Sequence, residues 1–160
     1  MARSSAYWAA NPYRNPDQAP EGSAPCADLP AQQAERFRRV RTVLGALPGV
    51  AEQVRFMGIP WGWAWEYAVG PRKVCWVHPI PPVASATFTL TDDEESKALA
   101  IPRLAEPIRH ALRDAQRTGP LKWCWIALPD RRHVDAFLGL ARRKAEWVGL
   151  RTPTRRSAAS

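Results

Sequence analysis

The sequence predicts an α+β fold: a single domain built on an antiparallel or mixed sheet of about four to five strands with three to four helices packed on it. Three observations point there. Apolar residues recur at helical spacing in some segments and alternate strictly in others, in the order helix, strands, short helix, helix, strand, helix, which is not the regular alternation of a parallel βαβ sheet. An alternating aromatic segment and a second strand-like segment are joined through Gly70-Pro71, the mark of an antiparallel hairpin. The chain has 160 residues, of which 46% are hydrophobic and 24% charged. That is one domain's length, with enough apolar content to form a core without disulfides or a structural metal.

The first thirty residues carry prolines at Pro12, Pro16, Pro20, Pro25 and Pro30 with no helical or strand period. Residues 1–30 therefore read as a proline-rich extended arm, with Tyr7, Trp8 and Tyr13 either laid against the domain or mobile. The α+β domain spans 31–150. Phe37, Val40, Leu44 and Leu47 mark its first helix, with Asp28 as a capping side chain, Pro30 in the first turn and Pro48-Gly49 as the stop. From Trp61 to Ala68 every odd position is aromatic and every even one small or acidic, which is a strand. Glycine first and proline second suit a type II′ turn, so Arg72 to Pro79 returns antiparallel. A two-residue loop sets Trp65 opposite Trp76, Trp63 opposite His78 and Tyr67 opposite Val74, with Glu66 opposite Cys75 on the other face.

Prolines at Pro79, Pro81 and Pro82 cannot continue a ladder, so this stretch is a rigid loop. Ala84, Ala86, Phe88 and Leu90 alternate with Ser85, Thr87 and Thr89, a third strand with one face buried and one wet. Thr91 and Glu94 have capping-box spacing and open a short helix to about Ala100. Ile108, Ala111, Leu112 and Ala115 mark a helix entered at Pro107 and ended by Gly119-Pro120. Leu121 to Leu128 is a strand with Trp123 and Trp125 on one face and Cys124 and Ile126 on the other, apolar enough on both to lie inside the sheet. Asp130 caps a last helix with the stripe Val134, Phe137, Leu138 and Ala141, and residues 151–160 form a basic flexible tail.

Several function classes are excluded or disfavoured. No apolar run approaches the roughly 18 residues of a membrane span, and Met1 to Ala10 lacks the apolar core of a signal peptide. The expectation is a cytoplasmic protein with no membrane partner. Cys26, Cys75 and Cys124 are odd in number and lack C-x-x-C spacing, against a disulfide framework or a zinc ribbon and in favour of a reducing compartment. Cys75 and His78, three apart on a strand, point to opposite faces and cannot share a metal. Nucleophile-elbow, Walker and dinucleotide-binding motifs are missing. No catalytic residue, cofactor or metal is assigned.

The aromatic hairpin is the most informative feature. Trp63, Trp65 and Trp76, joined by Trp123 and Trp125 from another strand, read either as helix-packed core or as the wall of a pocket for a planar or apolar small molecule or a protein partner. Glu66 and His78 are the polar anchors of that pocket. Burial would raise the Glu66 pKa and make it a candidate acid or base. An enzyme would need Glu66 and His78 in one cleft, and the register above places them on opposite faces. The competing reading starts from charge. From Arg131 onward there are eight basic residues against two acidic ones, a net of +6 within the chain's +8. Arg131, Arg132, Arg142, Arg143 and Lys144, with the basic tail, are candidates to track a nucleic-acid backbone. Oligomeric state is not legible.

The stretch Trp61-Gly62-Trp63-Ala64-Trp65-Glu66-Tyr67, followed by Lys73-Val74-Cys75-Trp76-Val77-His78-Pro79, then Ala86-Thr87-Phe88-Thr89-Leu90 and the final strand and helix, resembles the small bacterial proteins grouped as domain of unknown function family 3788. Asn15 to Pro20 is similar to that family's lead-in. The Pro79 to Pro82 loop and the arginine-rich helices depart from its pattern. The resemblance implies a small α+β fold and brings no activity, substrate or site residue.

Overall fold

A computed structural model describes residues 4–150; the tail assigned to 151–160 lies outside them. The elements are α1 (Ser5–Ala9), α2 (Ala24–Asp28), α3 (Ala31–Gly45), β1 (Val50–Phe56), β2 (Trp63–Val69), β3 (Arg72–His78), β4 (Ser85–Leu90), α4 (Asp92–Leu99), α5 (Glu106–Arg113), β5 (Gln116–Thr118), β6 (Leu121–Ala127) and α6 (Arg131–Leu150). The six strands form one antiparallel sheet in the order β1-β2-β3-β4-β6-β5. The chain is thus α+β, with more elements than the periodicity suggests.

Each extra element has a reason to be silent in the sequence. In β1 the inward alternation Val50, Val54, Phe56 is broken by Glu52, whose carboxylate accepts from Arg41 Nε (3.0 Å) and Tyr67 Oη (2.7 Å). Burial beside that carboxylate pushes the Tyr67 phenol well above its ordinary value. β5 is three exposed polar residues, and Gly119-Pro120 is the turn of its hairpin with β6 rather than the end of α5, which stops at the Asp114 cap. The arm contains the two short helices α1 and α2. Asp28 does not cap α3; it accepts from Tyr13 Oη (2.7 Å) and ties the arm down.

α3 and α6 cover one face of the sheet. Phe37, Val40 and Leu44 of α3 and Val134, Phe137, Leu138 and Ala141 of α6 bury against Trp65, Val77, Phe88, Cys124 and Ile126. Lys144 belongs to this layer and not to the protein surface: it is 2% exposed, and its ammonium donates to the Thr89 carbonyl and to Thr89 Oγ1 (3.2 Å). A helix side chain pointing at the sheet cannot reach a nucleic-acid backbone, which corrects its candidacy. Desolvation pushes its pKa down. The capping box of Thr91 and Glu94 is present. The expected wet face of β4 is polar but dry, since Ser85, Thr87 and Thr89 are all buried.

The β2–β3 hairpin departs from the expected register by one residue, and this decides which side chains share a face. Gly70-Pro71 is the two-residue turn, with Val69 opposite Arg72 and Gly70 at φ 56°. Ala68 then faces Lys73, but Tyr67 faces Cys75, so Val74 is the extra residue of a β-bulge. Beyond it Trp65 lies opposite Val77 and Glu66 opposite Trp76. Directly opposed residues share a face. Trp76 and His78 therefore turn to the side of Glu66, away from Trp63 and Trp65.

Candidate functional site

The face opposite the α3–α6 layer carries a cleft of about 680 Å³. Its floor is laid down by strand alternation: Ala64 of β2, Trp76 and His78 of β3, Thr87 of β4, and Trp123, Trp125 and Ala127 of β6. Cross-strand pairing aligns them, with Trp76 opposite Thr87 and Thr87 opposite Trp125. Trp76 and Trp123 stack diagonally across β4 with ring centroids 5.7 Å apart and an interplanar angle of 20°. Trp76 is 7% exposed and Trp123 40%, so the stack runs from the interior to the mouth.

Two walls rise from this floor. On one side α5 presents Pro107, His110, Ala111 and Asp114, an i, i+3, i+4, i+7 stripe, while Ile108 and Leu112 face the core. Gln116 of β5 and His133 of α6 close that rim. On the other side stand Trp8 of α1 and Met57 and Trp61 of the β1–β2 loop. All three of the chain's histidines and five of its eight tryptophans thus line one cleft.

The α1 wall is fastened by specific contacts. Tyr7 Oη and Ser85 Oγ share a 2.5 Å hydrogen bond, Tyr7 meets Trp125 edge-on at 6.0 Å, and Trp8 meets the His78 ring edge-on at 5.0 Å. Asn11, buried, donates from Nδ2 to the carbonyls of Trp61 (2.8 Å) and Trp63 (3.3 Å), and the Trp63 amide donates to the Tyr13 carbonyl (2.9 Å). Gly62 is required where the arm crosses. It has φ 77°, and a Cβ there would lie 2.4 Å from the Tyr13 carbonyl oxygen.

Most charged and titratable groups around the cleft are committed in pairs. Glu66 lies on the same face beside Trp76, outside the cleft lining: its Oε2 accepts from Trp76 Nε1 (3.1 Å), and its Oε1 meets Lys73 Nζ (2.7 Å) and Arg55 Nε (3.0 Å). It fixes the edge of the Trp76 ring, with its own charge balanced by the two cations. His78 Nε2 shares a hydrogen bond with Thr87 Oγ1 (2.9 Å), and His110 Nε2 lies 3.2 Å from Glu106 Oε1. His133 donates to Asp130 Oδ1 from its amide (2.9 Å) and from Nδ1 (2.8 Å), which holds the Asp130 carboxyl below its usual range. Among the described residues no lysine or arginine lines the cleft, and Asp114 is the acidic lining residue.

Of the residues singled out from the sequence, the fold brings Trp76, His78, Trp123 and Trp125 into this cleft. Trp65 is fully buried in the core, edge-on to Phe37 at 5.6 Å, with Nε1 donating to the Gly22 carbonyl (2.9 Å). Trp63 lies on the same side, against Phe56 at 5.5 Å, with Nε1 donating to the Asn15 carbonyl (2.8 Å). Glu66 and His78, expected on opposite faces, share one. Trp8, Met57, Trp61 and the α5 stripe were not anticipated. The polar alternation of β4 and a helix with small or apolar residues on two sides were the signals that bear on them.

Arg131, Arg132, Arg142 and Arg143 are exposed on α6, and Arg131 Nε lies 3.6 Å from Asp135, which also takes Arg39 at 2.8 Å. Burial pushes the Cys75 and Cys124 thiols up to about 12, so neither is a nucleophile near neutral pH. Among the described residues no group of three or more His, Cys, Asp or Glu is arranged to hold a metal ion, and no helix is long and apolar enough to cross a membrane. Comparisons with protein-family models, curated proteins and solved structures gave no match to this chain.

Proposed function

We propose that the chain is a binding domain that takes a flat, largely apolar small molecule into the indole-lined cleft. The observation that carries this reading is the cleft itself. About 680 Å³ falls within the roughly 300–1,000 Å³ range of small-molecule sites, and its lining combines apolar rings with a few convergent polar groups. Aromatic walls favour flat ligands, because each ring pair adds about 0.5–1.5 kcal/mol beyond area burial. A binding role without catalysis is supported by the pairing of the titratable groups: Glu66 is balanced by Lys73 and Arg55, and His78 is bonded to Thr87. Three free cysteines fit a cytoplasmic setting. Kinship with the uncharacterised family named above stays part of this proposal and rests on the hairpin, the Ala86 to Leu90 stretch, the final strand and helix and the Asn15 to Pro20 lead-in.

Titrating the protein with flat heteroaromatic metabolites while following tryptophan emission tests the reading. Saturable quenching should disappear in Trp123→Ala and persist in Trp63→Phe, on the opposite face. Quenching that survives Trp123→Ala, or no saturable binding to any member of the set, would end it.

A second reading keeps the basic helix as a nucleic-acid contact. Its support is that Arg132 and Arg143 are exposed on α6, three helical turns apart and on the same side. The burial of Lys144 and the pairing of Arg131 with Asp135 weaken it. Retention on single-stranded or duplex DNA that does not fall with added salt would remove it.

A further inference from the structure

Resting on the cleft reading above, we propose that its ligand is a flat organic cation, a protonated heteroaromatic amine, held between indole faces with Asp114 as counter-charge. The argument begins with a contrast inside one molecule. The chain carries 23 lysines and arginines and a net charge of +8. Among the described residues no lysine or arginine lines the cleft, whereas five indoles and one carboxylate do. A site for a phosphate or carboxylate ligand would place a guanidinium or ammonium against it, because charge-assisted bonds to those donors are the strongest available to a protein. In a chain so rich in arginine, a cleft without one selects against anions.

The aromatic surfaces favour the opposite sign. A cation over the face of tryptophan is attracted by the negative quadrupole of the ring, more strongly than over phenylalanine or tyrosine, and more strongly still once it is desolvated. The stacked Trp76–Trp123 pair, 5.7 Å between centroids, leads from the mouth to the floor and offers a flat ligand a continuous aromatic path. Asp114 is exposed at the rim, at the C-terminal end of α5, where the helix carbonyls add a further negative edge. The described residues record no ion pair for it. The neighbouring cations are spoken for: Arg109 and Arg113 lie toward Glu106, and Arg117 toward Asp92 and Glu95. Arg55 and Lys73 converge on Glu66 and leave one excess positive charge there, outside the cleft lining and partly exposed, where solvent screens it.

The test uses three tricycles of one shape and different charge: 9-aminoacridinium, neutral acridine and acridine-9-carboxylate. Their dissociation constants are measured at slightly alkaline pH by tryptophan quenching and by calorimetry on the full chain. The cation should bind about tenfold more tightly than neutral acridine, and the anion more weakly than either. This order opposes the global field, since a chain of net +8 would by itself favour the anion. Asp114→Asn should weaken the cation about three- to fivefold and leave neutral acridine unchanged, the scale of a solvent-exposed charge pair. Asp114→Glu should restore the cation. Equal affinities, or an anion preference, with quenching still lost in Trp123→Ala, would overturn the charge assignment while leaving the cleft as the site. No binding by any of the three would remove both.

Discussion

Trp65 and Trp76 stand on the two strands of one hairpin, and they do opposite things. Trp65 faces α3 and is fully buried, its indole N–H given to the Gly22 carbonyl. Trp76 faces the cleft and stacks on a half-exposed Trp123, its indole N–H given to Glu66. Their side chains are the same and their strand propensities are the same. What separates them is Val74, the unpaired residue that turns one strand over with respect to the other. The two faces teach that an aromatic alternation reports a sheet but not the use of its rings: one face becomes core because helices cover it, the other becomes a cleft because helices stand beside it.

The largest way to test this contrast is to delete Val74. Lys73 stays opposite Ala68 and Cys75 opposite Tyr67 in one continuous ladder, so Trp76 and His78 keep the cleft face and the loss is that of a fully buried valine. A cooperative thermal transition at lower temperature, with ligand quenching retained, is expected by circular dichroism and emission; loss of the quenching would show that the bulge itself aims Trp76. Next in size, Trp65→Ala should cost about 3–5 kcal/mol in urea unfolding, as for other fully buried aromatics. Trp123→Ala, at the cleft mouth, should cost less than about 1 kcal/mol while abolishing ligand quenching.

Glu66 sharpens the contrast from the cleft side. Glu66→Leu strips the buried Trp76 N–H of its acceptor and should cost about 1–3 kcal/mol, with a red shift and broadening of tryptophan emission. Glu66→Gln keeps an acceptor and should lose less; equal losses for both would mean that the indole contact contributes nothing. Gly62→Ala should cost about 1–3 kcal/mol through its positive φ and the clash with the Tyr13 carbonyl, and should detach the arm wall, detected as faster proteolysis near Tyr7.

The smallest effects concern titration of the covered face. Burial raises Cys75 and Cys124 to about 12 and raises Tyr13 and Tyr67 further. Acids whose folded value is raised contribute stability that is complete below their ordinary value and is lost as pH climbs through the folded one. Stability should therefore fall from about pH 9 toward 12, with Lys144, shifted down, acting in the opposite sense. A thiol reagent at neutral pH should modify Cys26 alone in the folded chain and all three cysteines after denaturation. Modification of Cys75 before unfolding would contradict its burial.

Much of this was legible in the chain because the signals are local. Phe37, Val40 and Leu44 share a helical face whatever lies opposite. Thr91 and Glu94 cap one another within a single turn. Gly70-Pro71 needs no distant partner to make its turn, and Trp123 and Trp125 share a side by alternation alone. β1 was hidden because the inward Glu52 is tolerable only with Arg41 from α3 and Tyr67 from β2 beside it. The cleft was hidden because its walls come from α1, α5 and the β1–β2 loop, far apart in the chain.

The sequence by itself determined an α+β fold with an antiparallel or mixed sheet rich in indoles, the helices of its core and the separation of Cys75 from His78, since these follow from spacing along single segments. Only the tertiary structure decided that Trp76 leaves the company of Trp63 and Trp65, that Lys144 is buried and that all three histidines meet at one cleft. Register depends on one unpaired residue, and burial depends on which element lies across the gap; neither is a property of the segment that undergoes it.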